Sequence, residues 1–97
     1  MEKISEYIPV GHENGLRLSE LVGISGIPRR QVRRQIAREQ AQGTPIINLS
    51  DGCGYFLADS EQDLRDYVRQ ERSRIANEKK KVGALMLALK EMEAKNG

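Results

Sequence analysis

The stretch IPRRQVRRQIAREQAQ, residues 27–42, carries Arg29, Arg30, Arg33, Arg34 and Arg38 against the single acid Glu39, and Val32 and Ile36 lie four apart in its middle. Four residues is close to one helical turn, so these two side chains share one side of an α-helix. At about 100° per residue Arg30 and Arg34 fall almost opposite them, with Ala37 and Ala41 between. Gln31 and Arg38 flank one edge of the stripe and Arg33 the other. A helix of this kind has one narrow side to bury and must lie on the surface of a core. Pro28 suits its first turn, where a missing amide has no partner to lose. Gly43 followed by Pro45 ends it. Glu39 falls beside the apolar stripe, an awkward place for an acid, which pairs with an arginine or lies at the margin of the core.

The flanking segments set the rest of the layout. Ile4, Tyr7 and Ile8 recur at helical spacing until Pro9 forbids continuation, which predicts a short first helix. PVGHENG reads as a solvated loop, since His12 and Glu13 have no nucleophile or third polar partner near them in the sequence. Leu16 and Leu18 alternate as in a short strand. Ser19 offers a side-chain oxygen to cap a helix running to about Ser25, with Leu21 and Val22 on the core side and Ile24 assisting. Gly26 permits the left-handed backbone of a sharp reversal. Downstream, IINL and YFLA are strand-like around SDGCG, the pattern of a hairpin. Tyr55 and Leu57 alternate on the returning strand and are expected in the core. From Ser60 onward the pattern is one long helix, weakened only at Gly83. Val68, Ile75, Val82 and Leu89 recur every seven residues, and the positions three later hold Glu71, Glu78, Leu85 and Met92. About 35 helical residues make a rod of roughly 50 Å, more than a small domain covers, so its apolar end needs a partner. The fold class expected is α+β, mostly helical.

Charge and composition remove several function classes. A chain of 97 residues has room for one core, and 38% hydrophobic with 31% charged residues suits a globular domain. No apolar run approaches the ~20 residues that cross a bilayer. MEKISEYIPV lacks a basic start followed by a long apolar stretch, so a cytoplasmic location is expected. KKKVGALMLALK has the charge of a basic surface-lying segment but no aromatic anchors. Cys53 and His12 are the single cysteine and the single histidine, which excludes an internal disulfide and the usual zinc spacings. No metal, cofactor or catalytic constellation is expected, so the chain does not read as an enzyme. The formal net charge of +2 argues for nothing by itself. Its distribution does, since residues 27–42 sum to +4 and the remainder is close to balanced.

Leu21, Gly26, Ile27 and Val32 reproduce the spacing of a helix-turn-helix, in which two short helices meeting at a steep angle need a flexible corner with an apolar clasp on each side. The continuation GIPRRQVRRQI to PIINLSDGCGYFLAD places a hairpin directly after the second helix. Over residues 18–57 the chain resembles the winged-helix DNA-binding domain of biotin-repressor type, and is similar to small helix-turn-helix proteins of phages and mobile elements. The resemblance implies a winged helix-turn-helix domain over residues 1–59, with residues 28–42 as recognition helix and 46–58 as wing. Residues 60–97 then form a long C-terminal helix that joins two copies in a homodimer. The wing tip SDGCG holds Asp51 and no cation, and Pro28 replaces a hydroxyl-bearing cap, so recognition falls to the helix.

On this reading an α-helix enters the major groove, where arginine makes paired hydrogen bonds to guanine and glutamine to adenine. Arg30, Gln31 and Arg34 are the candidates for base contact, and Arg29, Arg33 and Arg38 those for phosphate. The function expected is double-stranded DNA binding by a transcriptional regulator or accessory factor. The alternatives are a DNA-packaging or architectural subunit, or a protein-interaction module that uses the same fold without DNA.

Overall fold

Pro9 ends the first helical segment after a single turn, and the chain then turns to β pairing. In the computed structural model, which describes residues 3–96, a 3-10 turn at Ile4–Tyr7 is followed by a second at His12–Asn14. Helices α1 (Leu18–Ser25) and α2 (Arg29–Ala41), strands β1 (Ile46–Asn48) and β2 (Tyr55–Leu57), and helix α3 (Glu61–Asn96) complete the order. The protein is therefore α+β and mostly helical. β1 and β2 form an antiparallel hairpin in which Ile46 faces Leu57, Ile47 faces Phe56 and Asn48 faces Tyr55. The other edge of β2 is occupied from the N-terminal side. Leu16 and Tyr55 exchange backbone hydrogen bonds at 2.9 and 2.6 Å, and the Leu57 amide donates to the Pro9 carbonyl at 2.8 Å. The Leu16–Leu18 alternation thus yields a one-residue bridge to β2 and not a separate strand.

Gly26 takes φ 71°, ψ 8°, and its amide closes α1 on the Val22 carbonyl. That left-handed residue lets α2 start within three residues, because glycine has no Cβ to strike the following carbonyl. Leu21, Val32, Ile36 and Ile46 are buried together with Ile4 and Ile8 in one cluster, with Tyr55 and Leu57 packed on it. Alternation along the hairpin sends Ile47 and Phe56 to its opposite face, where both are also buried.

Two local expectations are corrected. Ser19 does not cap α1; the Glu20 carboxylate accepts the Arg17 amide at 3.0 Å, so the acid three residues into the helix satisfies the free donor. Ile24 does not join the core and remains 57% exposed, because α1 is only two turns long and Leu21 already fills its inward side.

Gly54 lies at φ 88°, and a Cβ built there collides with the Leu16 carbonyl and the Arg17 amide. Gly54→Ala therefore forces a left-handed alanine and parts the Leu16–Tyr55 bridge. The expected loss is at least about 2 kcal/mol in a denaturant titration; a change below about 0.5 kcal/mol would show that the close approach is not required.

The described chain divides into two compact units, the first ending at Tyr67 and the second beginning at Val68. The first takes in the start of α3 and the second the rest of it; the helix is capped by the Ser60 hydroxyl accepting the Asp63 amide at 3.1 Å. Glu61 and Asp63 occupy its first turn and Lys95 its last, the arrangement that the helix dipole favours. Arg65–Glu61, Arg74–Glu71 and Lys81–Glu78 pair along it at one-turn spacing, and Gly83 does not interrupt it. No helix among the described residues is long and apolar enough to cross a membrane.

Candidate nucleic-acid interface

The inward side of α2 holds Val32, Ile36 and Glu39, all buried. With these three fixed, helical geometry turns the remainder outward. Arg29, Arg30, Gln31, Arg33, Arg34 and Arg38 are each exposed, and none of the five arginines has an ion-pair partner among the described residues. Their placement runs against the local energetics of a helix. The first turn of α2 contains no acid and opens with Arg29 and Arg30 at the positive end of the dipole, where each cation costs about 0.3–1 kcal/mol. Arg29–Arg33, Arg30–Arg33, Arg30–Arg34 and Arg34–Arg38 add four like-charge pairs at one-turn spacing, each unfavourable by about 0.2–0.5 kcal/mol. α3 follows the dipole rule and carries paired charges; α2 breaks the rule at its start, though Arg38 suits its last turn, and carries no ion pair among the described residues. An anionic ligand along α2 relieves both penalties.

Glu39 explains how an acid sits on the buried side. Its carboxylate accepts the Ile4 amide at 2.7 Å, the Ser5 amide at 3.0 Å and the Gln35 side-chain amide at 2.9 Å. Neither expected placement holds: it does not pair with an arginine, and it is fully enclosed instead of marginal. Burial works against its charge, but hydrogen bonds from Gln35, from the Ser5 hydroxyl and amide and from the Ile4 amide outweigh it and hold the carboxyl below its ordinary range. The only acid on α2 is thereby turned inward, and the outward face is left purely cationic.

A shallow groove runs beside the start of α2, lined by Arg29 and Arg33 and, from outside the helix, by Arg17, Asn48 and Ser50. Arg17 was absent from the residues expected at the site. The alternation of Leu16 and Leu18 was the available signal, since a residue between two inward neighbours faces outward. Its Nε donates to the Gly52 carbonyl at 3.2 Å, which ties it to the hairpin loop. Arg30, Gln31, Arg34 and Arg38 are not part of this groove's lining. The six expected residues thus share one helix, but only Arg29 and Arg33 converge with groups from other elements.

The hairpin loop itself is acidic and ordered by its own hydrogen bonds. Asp51 accepts the Cys53 amide at 3.0 Å and pairs with His12 Nε2 at 2.7 Å. Those two interactions, the amide first, hold the Asp51 carboxyl below its ordinary range. His12 therefore has the polar partner that its own loop lacks, contributed from 39 residues away. Comparison with protein-family models, with curated proteins and with solved structures yields no match in any of the three.

Proposed function

We propose that the chain is a double-stranded DNA-binding protein of winged helix-turn-helix type, a transcriptional regulator or accessory factor of a phage or mobile element. The observation that carries the reading is the unpaired cationic face of α2, set opposite the buried Val32, Ile36 and Glu39. The element order supports it. Two short helices meet at a left-handed glycine, the second bears the arginines, and a hairpin follows with Leu16 bridging its outer edge. Arg30, Gln31 and Arg34 read base edges in the major groove. Arg29, Arg33 and Arg38, joined by Arg17, hold phosphates. The hairpin tip, with Asp51 and no cation, stays off the backbone.

Selection of bound sequences from random duplex DNA, with the mass of the complex measured, tests this directly. A consensus of a few base pairs in each half-site is the expected result. Retention of no duplex at low salt would end the proposal, whereas binding without a consensus in a high oligomer would favour packaging.

The homodimer belongs to the same proposal. Val68, Ile75, Val82, Leu85, Leu89 and Met92 all remain exposed, Leu85 at 61% and Met92 at 62%. A seven-residue apolar repeat on a helix is buried by a second copy carrying the same repeat, and a twofold pair fits a palindromic site. Replacing Leu85 and Leu89 together by aspartate sets charges into that seam. The expected result is at least about a hundredfold weaker dimerisation by sedimentation; an unchanged mass would exclude this seam. A module whose winged fold binds a protein partner, with the long helix as assembly device, is the alternative. It predicts that alanine at Arg30 and Arg34 leaves partner binding nearly unchanged.

A further inference from the structure

Outside the arginine face, the only histidine and the only cysteine of the chain meet at one place. A ring nitrogen of His12, an Asp51 carboxylate oxygen and Cys53 Sγ all lie within 4.8 Å of one another. We propose that His12, Asp51 and Cys53 form a binding site for a zinc-like divalent cation, with the remaining positions taken by water. The three donors are the imidazole, carboxylate and thiolate that such ions accept in mixed sets. Magnesium and calcium are disfavoured by the nitrogen and sulfur.

The donor positions are set by surrounding structure. The edge of one ring meets the face of the other where His12 packs on Phe56, with centroids 5.3 Å apart, and Phe56 is buried. The imidazole is thereby aimed by the core. On the opposite side, the backbones carrying the ligands are pressed together. A Cβ at Gly15 would strike the Cys53 carbonyl, and one at Gly54 the Leu16 carbonyl. The loop bearing Asp51 and Cys53 is thus fixed against the turn bearing His12. The three side chains are also exposed, and a surface cleft lined by His12, Glu13, Arg17, Glu20 and Cys53, in which two acids outnumber the one guanidinium, admits the ion with its waters.

Tetrahedral bonds of about 2.0–2.3 Å put ligand atoms about 3.3–3.5 Å apart. The 2.7 Å separation of His12 from Asp51 opens by under about 1 Å, and since no separation exceeds 4.8 Å, none has to close by more than about 1.5 Å. Exposed side chains make such shifts by rotation about their own torsions. The charges balance, since one thiolate and one carboxylate neutralise a dication. On coordination the sulfur–metal bond forms as the thiol proton leaves to solvent, with no change of oxidation state. One proton is therefore released per ion bound, and affinity rises with pH.

The site includes neither Arg30 nor Arg34, although Arg17 and Gly52 line both its cleft and the groove beside α2, so its metal binding is measured without DNA. Its test is titration of the reduced full chain with Co²⁺, followed by displacement with Zn²⁺. The expected result is one Co²⁺ per chain, with the near-ultraviolet absorption of a thiolate–cobalt bond, and release of about one proton per Zn²⁺. Cys53→Ser should abolish that absorption, and Asp51→Asn and His12→Gln should each weaken binding at least about tenfold. Circular dichroism checks that each variant is folded, and Zn²⁺ should raise the thermal midpoint of the wild type but not of Cys53→Ser. Absence of the thiolate band at millimolar Co²⁺ would overturn the proposal. So would a band whose affinity is unchanged in both His12→Gln and Asp51→Asn, since Cys53 would then be acting without the cluster.

Discussion

Replacing Glu39 with alanine is expected to destabilise the first unit by about 3 kcal/mol, enough to lower its thermal midpoint by on the order of 15 °C. The carboxylate accepts the amides of Ile4 and Ser5, and Ile4 is fully buried. A buried donor left without an acceptor costs about 1–3 kcal/mol, and alanine deprives the buried Ile4 amide and the part-buried Ser5 amide while releasing Gln35. Against a total stability of about 5–15 kcal/mol that is a large fraction. The damage propagates, because the same two amides anchor the 3-10 turn that presents Ile4 to the core over α2. Glu39→Gln keeps one acceptor oxygen but turns an amide donor toward backbone donors, so about 2 kcal/mol should still be lost.

The acid dependence follows from the depressed carboxyl. The folded value lies below the ordinary 4.5. Its contribution is complete above that value and is lost as pH falls through the folded one. Denaturant midpoints of wild type and Glu39→Gln should therefore differ most near neutrality and converge in acid. A Glu39→Ala change within about 0.5 kcal/mol of wild type, or a gap between wild type and Glu39→Gln that ignores pH below 4.5, would refute this role.

Removing the Arg30 and Arg34 guanidinium groups together should weaken duplex DNA binding by at least about thirtyfold while leaving the fold intact. Each good base contact is worth about 1–3 kcal/mol, and both side chains are exposed and unpaired among the described residues, so nothing in the core depends on them. Their removal also relieves the Arg30–Arg34 and Arg34–Arg38 repulsions, and α2 should become slightly more stable. Single changes at Arg30 or Arg34 should relax preference at one base position. Changes at Arg29, Arg33 or Arg17 should instead lower affinity for all sequences alike, reducing the slope of log affinity against log salt by about 0.9 for each phosphate that is no longer neutralised. Fluorescence anisotropy over a salt series separates the two classes. Unchanged affinity in the double variant would move the interface off α2.

The arginine face and the hairpin were legible from residues alone because each depends on local periodicity. Val32 and Ile36 one turn apart orient a helix wherever it packs, and Gly26, Gly43 and the SDGCG loop punctuate the chain through backbone sterics that need no neighbour. The same logic read α3 from Ser60 and its seven-residue repeat. Local logic failed at Ile24 and Ser19, where the brevity of α1 and the reach of Glu20 decided the outcome. It also passed over Arg17, which acquires company only when the hairpin loop closes on it.

What periodicity determined, then, is which side of each element turns inward. What tertiary structure alone decided is which distant polar groups meet: Glu39 with the amides of Ile4 and Ser5, and His12 with Asp51 and Cys53. Burial preference is a property of one residue type and repeats along the chain, whereas a hydrogen bond across 34–39 residues requires the intervening chain to have folded first.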